Sequence, residues 1–194
     1  MISDLELVTR VAGTNDQAAY CRLVERHQAA IRRFLRRLLA GDHGSADDLA
    51  QETFLIAFRK IHSWRGSGRF SSWLHSIAYR QFLQFSRKHA RQQVMAEVPQ
   101  STVDSGQAIE AEILTEKLMS LVSEEERACL TLAYAAGMSH AEVCNITRLP
   151  LGTVKSHINR GKQKLQRWLE DNDHSIQETG ARPAREARRV QSQT

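Results

Sequence analysis

Apolar residues in this chain recur at the spacing of a helix face, and no segment carries a strong strand pattern. From Tyr20 to Leu39 the apolar positions are Tyr20, Leu23, Val24, Ile31, Phe34, Leu35 and Leu38. The opposite face carries Arg22, Arg26, Arg32, Arg33, Arg36 and Arg37. Three prolines and ten glycines in 194 residues suit long helices with few turns. The expected fold class is all-α.

Local signals divide the chain further. Gly41 and Gly44 bracket a turn, and Ser45 is expected to cap a helix with Asp47 and Asp48 in its first turn, where the helix dipole favours acids. That helix runs on through Leu49, Phe54, Ala57, Phe58 and Ile61. Gly66 and Gly68 mark a loop, and Ser71 or Ser72 opens a helix lined by Leu74, Ile77, Ala78, Phe82 and Phe85. Gln92 to Gln107 loses helical periodicity and contains Pro99 and Gly106, which reads as an inter-domain linker. Beyond it, Ser123 with Glu126 and Ser139 with Glu142 form two capping boxes, Gly137 stops a helix, and Pro150 precedes the last one. The expected organisation is a helical domain over 1–91, a flexible linker over 92–111, a second helical domain over 112–170, and a disordered basic tail over 171–194.

Composition excludes several classes. The three cysteines, Cys21, Cys129 and Cys144, are far apart and odd in number, so no disulfide framework or zinc ribbon is supported. They are expected to be buried or half-buried. The eight histidines show no metal-ligand spacing, so no metal and no cofactor are expected. No catalytic constellation is visible, and the chain does not read as an enzyme. No stretch approaches the ~20 apolar residues that span a bilayer, so the expected place of action is the cytoplasm without membrane insertion.

Charge is distributed unevenly. Between Thr53 and Ala96 there is no acid, but eight bases and eight of the twelve aromatic residues. Cations follow phosphates, and rings stack on unpaired bases at about 1–3 kcal/mol each, so this composition suits a single strand. It equally suits a helical core with a basic outer face. Trp64, Phe70 and Trp73, in or beside the glycine loop, fit the core reading least well. From Val143 to Leu169 there is again no acid, against Arg148, Lys155, Arg160, Lys162, Lys164 and Arg167. Ser139–Thr147, the turn at Arg148–Leu151 and a helix from Gly152 have helix-turn-helix spacing. In that motif the N-terminal part of the second helix enters the major groove, which singles out Thr153, Lys155, Ser156, His157, Asn159 and Arg160. Val154, Ile158 and Leu165 are expected to face the core. Between the two basic segments, Glu97 to Glu126 holds eight acids and one base. This stretch suits a spacer kept off DNA or a solvated helix face.

The segments Ser45-Ala46-Asp47-Asp48-Leu49-Ala50-Gln51-Glu52-Thr53-Phe54 and Phe70-Ser71-Ser72-Trp73-Leu74-His75-Ser76-Ile77-Ala78 resemble region two of extracytoplasmic-function sigma factors, of the sigma-70 superfamily. Ser139–Pro150 with Gly152-Thr153-Val154-Lys155-Ser156-His157-Ile158-Asn159-Arg160-Gly161 resembles region four. The likeness covers about 15–91 and 112–170, in order. It implies a transcription initiation factor that binds the bacterial RNA polymerase core and promoter DNA. Asp47, Asp48, Leu49, Gln51 and Glu52 would meet the clamp coiled coil of the beta-prime subunit. The minus-ten element would be captured by the loop from Ile61 to Phe70 and the following helix. The residues concerned are Arg59, Lys60, Trp64, Arg65, Arg69, Phe70, Trp73, Arg80, Arg87 and Lys88. Region four, through Arg148, Thr153, Lys155, Ser156, His157, Asn159 and Arg160, would read the minus-thirty-five element and meet the flap of the beta subunit. An anti-sigma factor is the implied regulator. Arg80, Gln84, Cys144 and His157 stand where family members often carry asparagine, aspartate, alanine and arginine.

A rival is a LuxR-like regulator, because Thr153–Ile158 also resembles that recognition helix. It would bind duplex operators as a dimer, but it has no use for the acidic Asp47–Glu52 patch or the basic aromatic segment.

Overall fold

A computed structural model describes residues 2–93 and 108–178. Among the described residues the chain is helical, without strands. The first unit contains α1 (Asp4–Thr14), α2 (Gln17–Leu39), α3 (His43–Arg59), a 3-10 turn (Ile61–Ser63) and α4 (Phe70–Gln93). The second contains α5 (Ala108–Ser120), α6 (Glu124–Leu130), a π-turn (Thr131–Ala135), α7 (His140–Thr147) and α8 (Leu151–Glu178).

The helix boundaries follow from local chemistry. A capping box not anticipated from sequence opens α1: Glu6 N–H donates to Ser3 Oγ, and Ser3 N–H donates back to Glu6 Oε2 at 2.6 Å. Asp16 caps α2 by accepting from Ala19 N–H at 2.9 Å. Ser45 does not cap α3. Asp42 does, accepting from Ser45 N–H at 3.0 Å, so the helix starts at His43 and Asp47 sits more than a turn inside it. Asp42 lies before the first helical residue, where its carboxylate reaches a free first-turn amide; Ser45, three positions later, is already inside the helix and supplies that amide. The boxes Ser123/Glu126 and Ser139/Glu142 both form.

Two expected boundaries move. The span 92–111 opens and closes in helix, since α4 runs through Gln93 and α5 begins at Ala108; 94–107 lies outside the described residues. The expected tail begins inside α8, which continues past Asp171 to Glu178 with no glycine or proline to stop it; 179–194 lies outside the described residues.

The first core gathers Leu7, Val11, Leu23, Phe34, Leu35, Leu38, Leu74 and Phe82, each at most 2% exposed. The second is built on Cys129, Leu132, Val143 and Val154, all fully buried, with Ile158 at its edge and Leu165 half-buried. Cys21 departs from expectation: it is exposed on α2, whereas Cys129 is buried and Cys144 half-buried. It follows Tyr20 on α2 and lines an open groove between α2 and α3.

The two units pack on each other. Arg127 Nη1 donates to the carbonyl of Leu38 at 2.9 Å, and His43 Nε2 lies 2.6 Å from Glu116 Oε1. α7 lies against the N-terminal part of α4.

Candidate nucleic-acid and polymerase interfaces

α2 and α3 leave a groove of about 560 Å³ between them, lined by Tyr20, Val24, Phe54, Leu55 and Phe58, with Gln51 and Arg32 among its polar residues. Tyr20 Oη donates to the carbonyl of Phe54, tying the helices together beneath the groove. Burial raises the Tyr20 phenol well above its ordinary range, so it stays a neutral donor. Leu55 is 53% exposed. Of the acidic patch, Asp48 and Gln51 are exposed, Glu52 is half-buried, and Leu49 packs against the core. Asp47 is turned to α2, where Arg36 Nη2 lies 3.2 Å and Arg32 Nε 3.3 Å from its carboxylate. The acids of α3 are legible in the sequence, whereas the apolar groove is not. The signal available was Leu55, a leucine off the buried stripe of α3.

The basic aromatic segment forms a second surface. Gly66 and Gly68 take positive φ values of 76° and 91°, conformations costly for residues with a Cβ, and so bend the loop back toward α4. Phe70 is buried at 3%, with its ring 5.4 Å from Trp64 and 5.3 Å from Trp73. Its role here is therefore support: it holds two half-buried tryptophans rather than offering a face of its own. Arg59, Lys60, Arg65, Arg80, Arg87 and Lys88 are all exposed. Trp73, Arg80 and Arg87 are spaced seven apart and share one face of α4. Arg69 differs. Its guanidinium is gripped by Glu142, Nε to Oε1 and Nη2 to Oε2, both at 2.9 Å. Ser72 Oγ donates to the same carboxylate at 2.6 Å. The Arg69 hydrogen bonds, followed by those from Ser72 and Ser139, outweigh burial and hold the Glu142 carboxyl at about 2. No sequence signal pointed to this pairing, since the two residues lie 73 positions apart.

The helix-turn-helix forms a third surface. Arg148 ends α7 at φ 64°, a left-handed conformation usually left to glycine or asparagine, and is exposed in the turn. Pro150, Gly152, Thr153, Ser156, Asn159 and Arg160 line an open hollow of about 550 Å³. Lys155, Ser156, Asn159 and Arg160 are exposed; Thr153 and His157 are half-buried. Arg160 is steadied from two sides, by His157 Nδ1 at 3.2 Å and by Glu126 Oε1 at 3.8 Å.

Among the described residues, no group of three or more His, Cys, Asp or Glu side chains could hold a metal. No described helix is long and apolar enough to cross a membrane.

Residues 23–92 match the Sigma-70 region 2 family and 113–165 match the Sigma-70 region 4 family. The extracytoplasmic-function (ECF) RNA polymerase sigma-E factor of Escherichia coli strain K12 is 30% identical over 188 residues, covering 84% of this chain and 93% of that protein. The chain belongs to the ECF sigma factors. The ECF sigma factor SigE of Mycolicibacterium smegmatis is 33% identical over 168 residues, covering 80% of this chain; the chain spans 65% of that protein's length. In fold, it is similar to the sigma factor RpoE of Bartonella quintana, solved with the anti-sigma factor NepR. The TM-score is 0.69 at 24% identity, covering 78% of this chain and 96% of that one. The two region matches fall in order on the two helical units, and nothing favours the LuxR-like alternative.

Proposed function

We propose that this ECF sigma factor recruits core RNA polymerase through α3 and the α2/α3 groove, captures the melted minus-ten strand along α4, and reads the minus-thirty-five duplex with α8. It acts in the cytoplasm and catalyses no reaction. It favours strand opening by binding the open form selectively. The observation that carries this reading is the pair of basic sequence stretches without acids, 53–96 rich in aromatics and 143–169 in a helix-turn-helix, on two units matched in order to sigma regions.

Each surface suits its task. Exposed Asp48 and Gln51, beside an apolar groove open along two helices, suit a basic amphipathic helix such as one strand of the beta-prime clamp coiled coil. Half-buried Trp73, in ring contact with Phe70, shares a face of α4 with exposed Arg80 and Arg87, and Trp64 packs on the same Phe70 ring, which suits unpaired bases and their phosphates. Lys155, Ser156, Asn159 and Arg160 project from the N-terminal half of α8, where a recognition helix meets base edges and phosphates. The beta flap would meet the same unit. An anti-sigma factor is the expected regulator, since the RpoE neighbour was solved bound to one.

Run-off transcription with sigma-free core polymerase on genomic promoter fragments tests the reading. Discrete transcripts that depend on the protein are expected. Absence of both transcripts and core binding would overturn it.

A further inference from the structure

We infer that Arg69 and Ser72 form a binding site for a backbone phosphate of the promoter strand, and that Glu142 of the helix-turn-helix occupies this site in a closed form of the chain. The inference rests on reading the α4 face as a single-strand surface, and deepens it.

The site is built for two oxygens on one centre. The Arg69 guanidinium presents Nε and Nη2 in a fork, each 2.9 Å from a different Glu142 oxygen, and Ser72 Oγ adds a third donor at 2.6 Å. A phosphodiester offers two non-bridging oxygens in a comparable arrangement, and a guanidinium fork binds either group in the same bidentate way. Ser72 precedes Trp73, so a strand with bases stacked on the tryptophans would carry its phosphates past these donors. Arg69 keeps 52% of its side chain exposed even when paired, which leaves an approach open.

The closed form is held along its length by acids of the second unit. Ser72, Tyr79 and Ser86 are spaced seven apart on α4. Glu142 takes the first, and Glu124 accepts from Ser86 Oγ at 2.7 Å. Arg69 Nη2 also donates to the carbonyl of Gly137 at 3.1 Å, and Glu116 meets His43. Glu116 and Glu124 belong to the acidic stretch whose purpose the sequence left open. Here its carboxylates contact hydroxyls and bases of the DNA-binding unit, as phosphates would. DNA and the second unit therefore compete for Arg69 and Ser72 at the start of α4, and opening precedes strand capture at that site.

Glu142→Gln in the full chain tests this, because glutamine is accepted at that position of a capping box and α7 keeps its start. Circular dichroism verifies helix content. Scattering measures the radius of gyration, and fluorescence anisotropy measures binding of a short mixed-sequence single strand and of its uncharged methylphosphonate counterpart. The variant should expand and bind the charged strand about fivefold more tightly, in proportion to the gain in open form. That gain should vanish with the methylphosphonate strand and fall back in Ser72→Ala/Glu142→Gln. Unchanged dimensions and affinity, with the parent protein still binding the strand, would overturn the competition while leaving the single-strand surface standing. Equal gains on both strands would overturn phosphate as the ligand. Expansion with no strand binding by either protein would overturn the single-strand reading, and the site with it.

Discussion

Glu126 on α6 accepts a hydrogen bond from Lys164 on α8, Oε2 to Nζ 2.7 Å, although Glu126 is only 4% exposed. Burial pushes its carboxyl up. The Lys164 hydrogen bond, the Ser123 N–H and the charges of Lys164 and Arg160 overcome this and leave it below the ordinary range. One buried acid thus caps α6, ties it to the recognition helix and steadies Arg160. Glu126→Ala should cost about 2 kcal/mol, the sum of a lost cap and a lost charge-assisted hydrogen bond. Glu126→Gln, which keeps the cap, should lose roughly half of that. Urea midpoints at constant m-value measure both. Equal midpoints for the two variants would show that the cap contributes nothing.

Gly161 marks the closest approach of the same two helices. A Cβ built there would lie 2.6 Å from Leu130 Cδ1 and 3.5 Å from Glu126 Cβ. Gly→Ala in a helix interior ordinarily stabilises by up to about 1 kcal/mol. Here Leu130 is 4% exposed and has little room to turn aside. Gly161→Ala should therefore destabilise by about 1–2 kcal/mol, as overpacking does. A rise in melting temperature would show that Leu130 yields freely.

Much of this architecture was legible in local chemistry. The capping boxes at Ser123 and Ser139 and the stops at Gly137 and Pro150 are short-range signals, and α6 to α8 follow them closely. α1 is less legible although Ser3 and Glu6 carry the same signal, because its apolar run is short, with only Leu7, Val8 and Val11 buried. Phe70 shows a different limit. Its neighbours His27, Trp64 and Trp73 come from two helices and a loop, so only the assembled unit reveals that its ring is enclosed. Arg69 and Glu142 show the same limit between units: each is legible alone, as a base near aromatics and as a capping residue, and the pair exists only in three dimensions.

His75 should make stability depend on mildly acidic pH. It is 3% exposed, its Nδ1–H donates to the Ser71 carbonyl at 2.7 Å, and its Nε2 has no partner beside the Phe34 ring. Burial, against the helping Ser71 carbonyl and together with the charges of His27 and Arg69, lowers its pKa from 6.5 to about 4. The folded value lies below the unfolded one, so the unfolded chain takes the proton first. Stability is intact above about 6.5 and falls progressively until the folded pKa is reached. The loss from this residue between about pH 7.5 and 5 should be about 2 kcal/mol. His75→Leu removes the titrating group, so its urea midpoint should fall less over that range. Parallel pH profiles for the two proteins would refute the assignment.

The acidic patch on α3 divides into two acids with different prospects. Asp47 is held by Arg32 and Arg36, whereas Asp48 stands exposed on the helix that borders the groove. Asp47→Ala should thus appear mainly as a small loss of stability, under about 1 kcal/mol for so exposed a pair. Asp48→Arg should leave stability alone and weaken core polymerase binding about tenfold, because it sets a positive charge against the basic partner the groove suits. Duplex binding by the second unit should be unchanged, since α8 lies on another surface. Titration of labelled protein with core polymerase, alongside a duplex gel shift, separates these effects. Normal core affinity in Asp48→Arg would remove Asp48 from the docking surface, and a matching loss of duplex binding would mean that the substitution disturbs the fold instead.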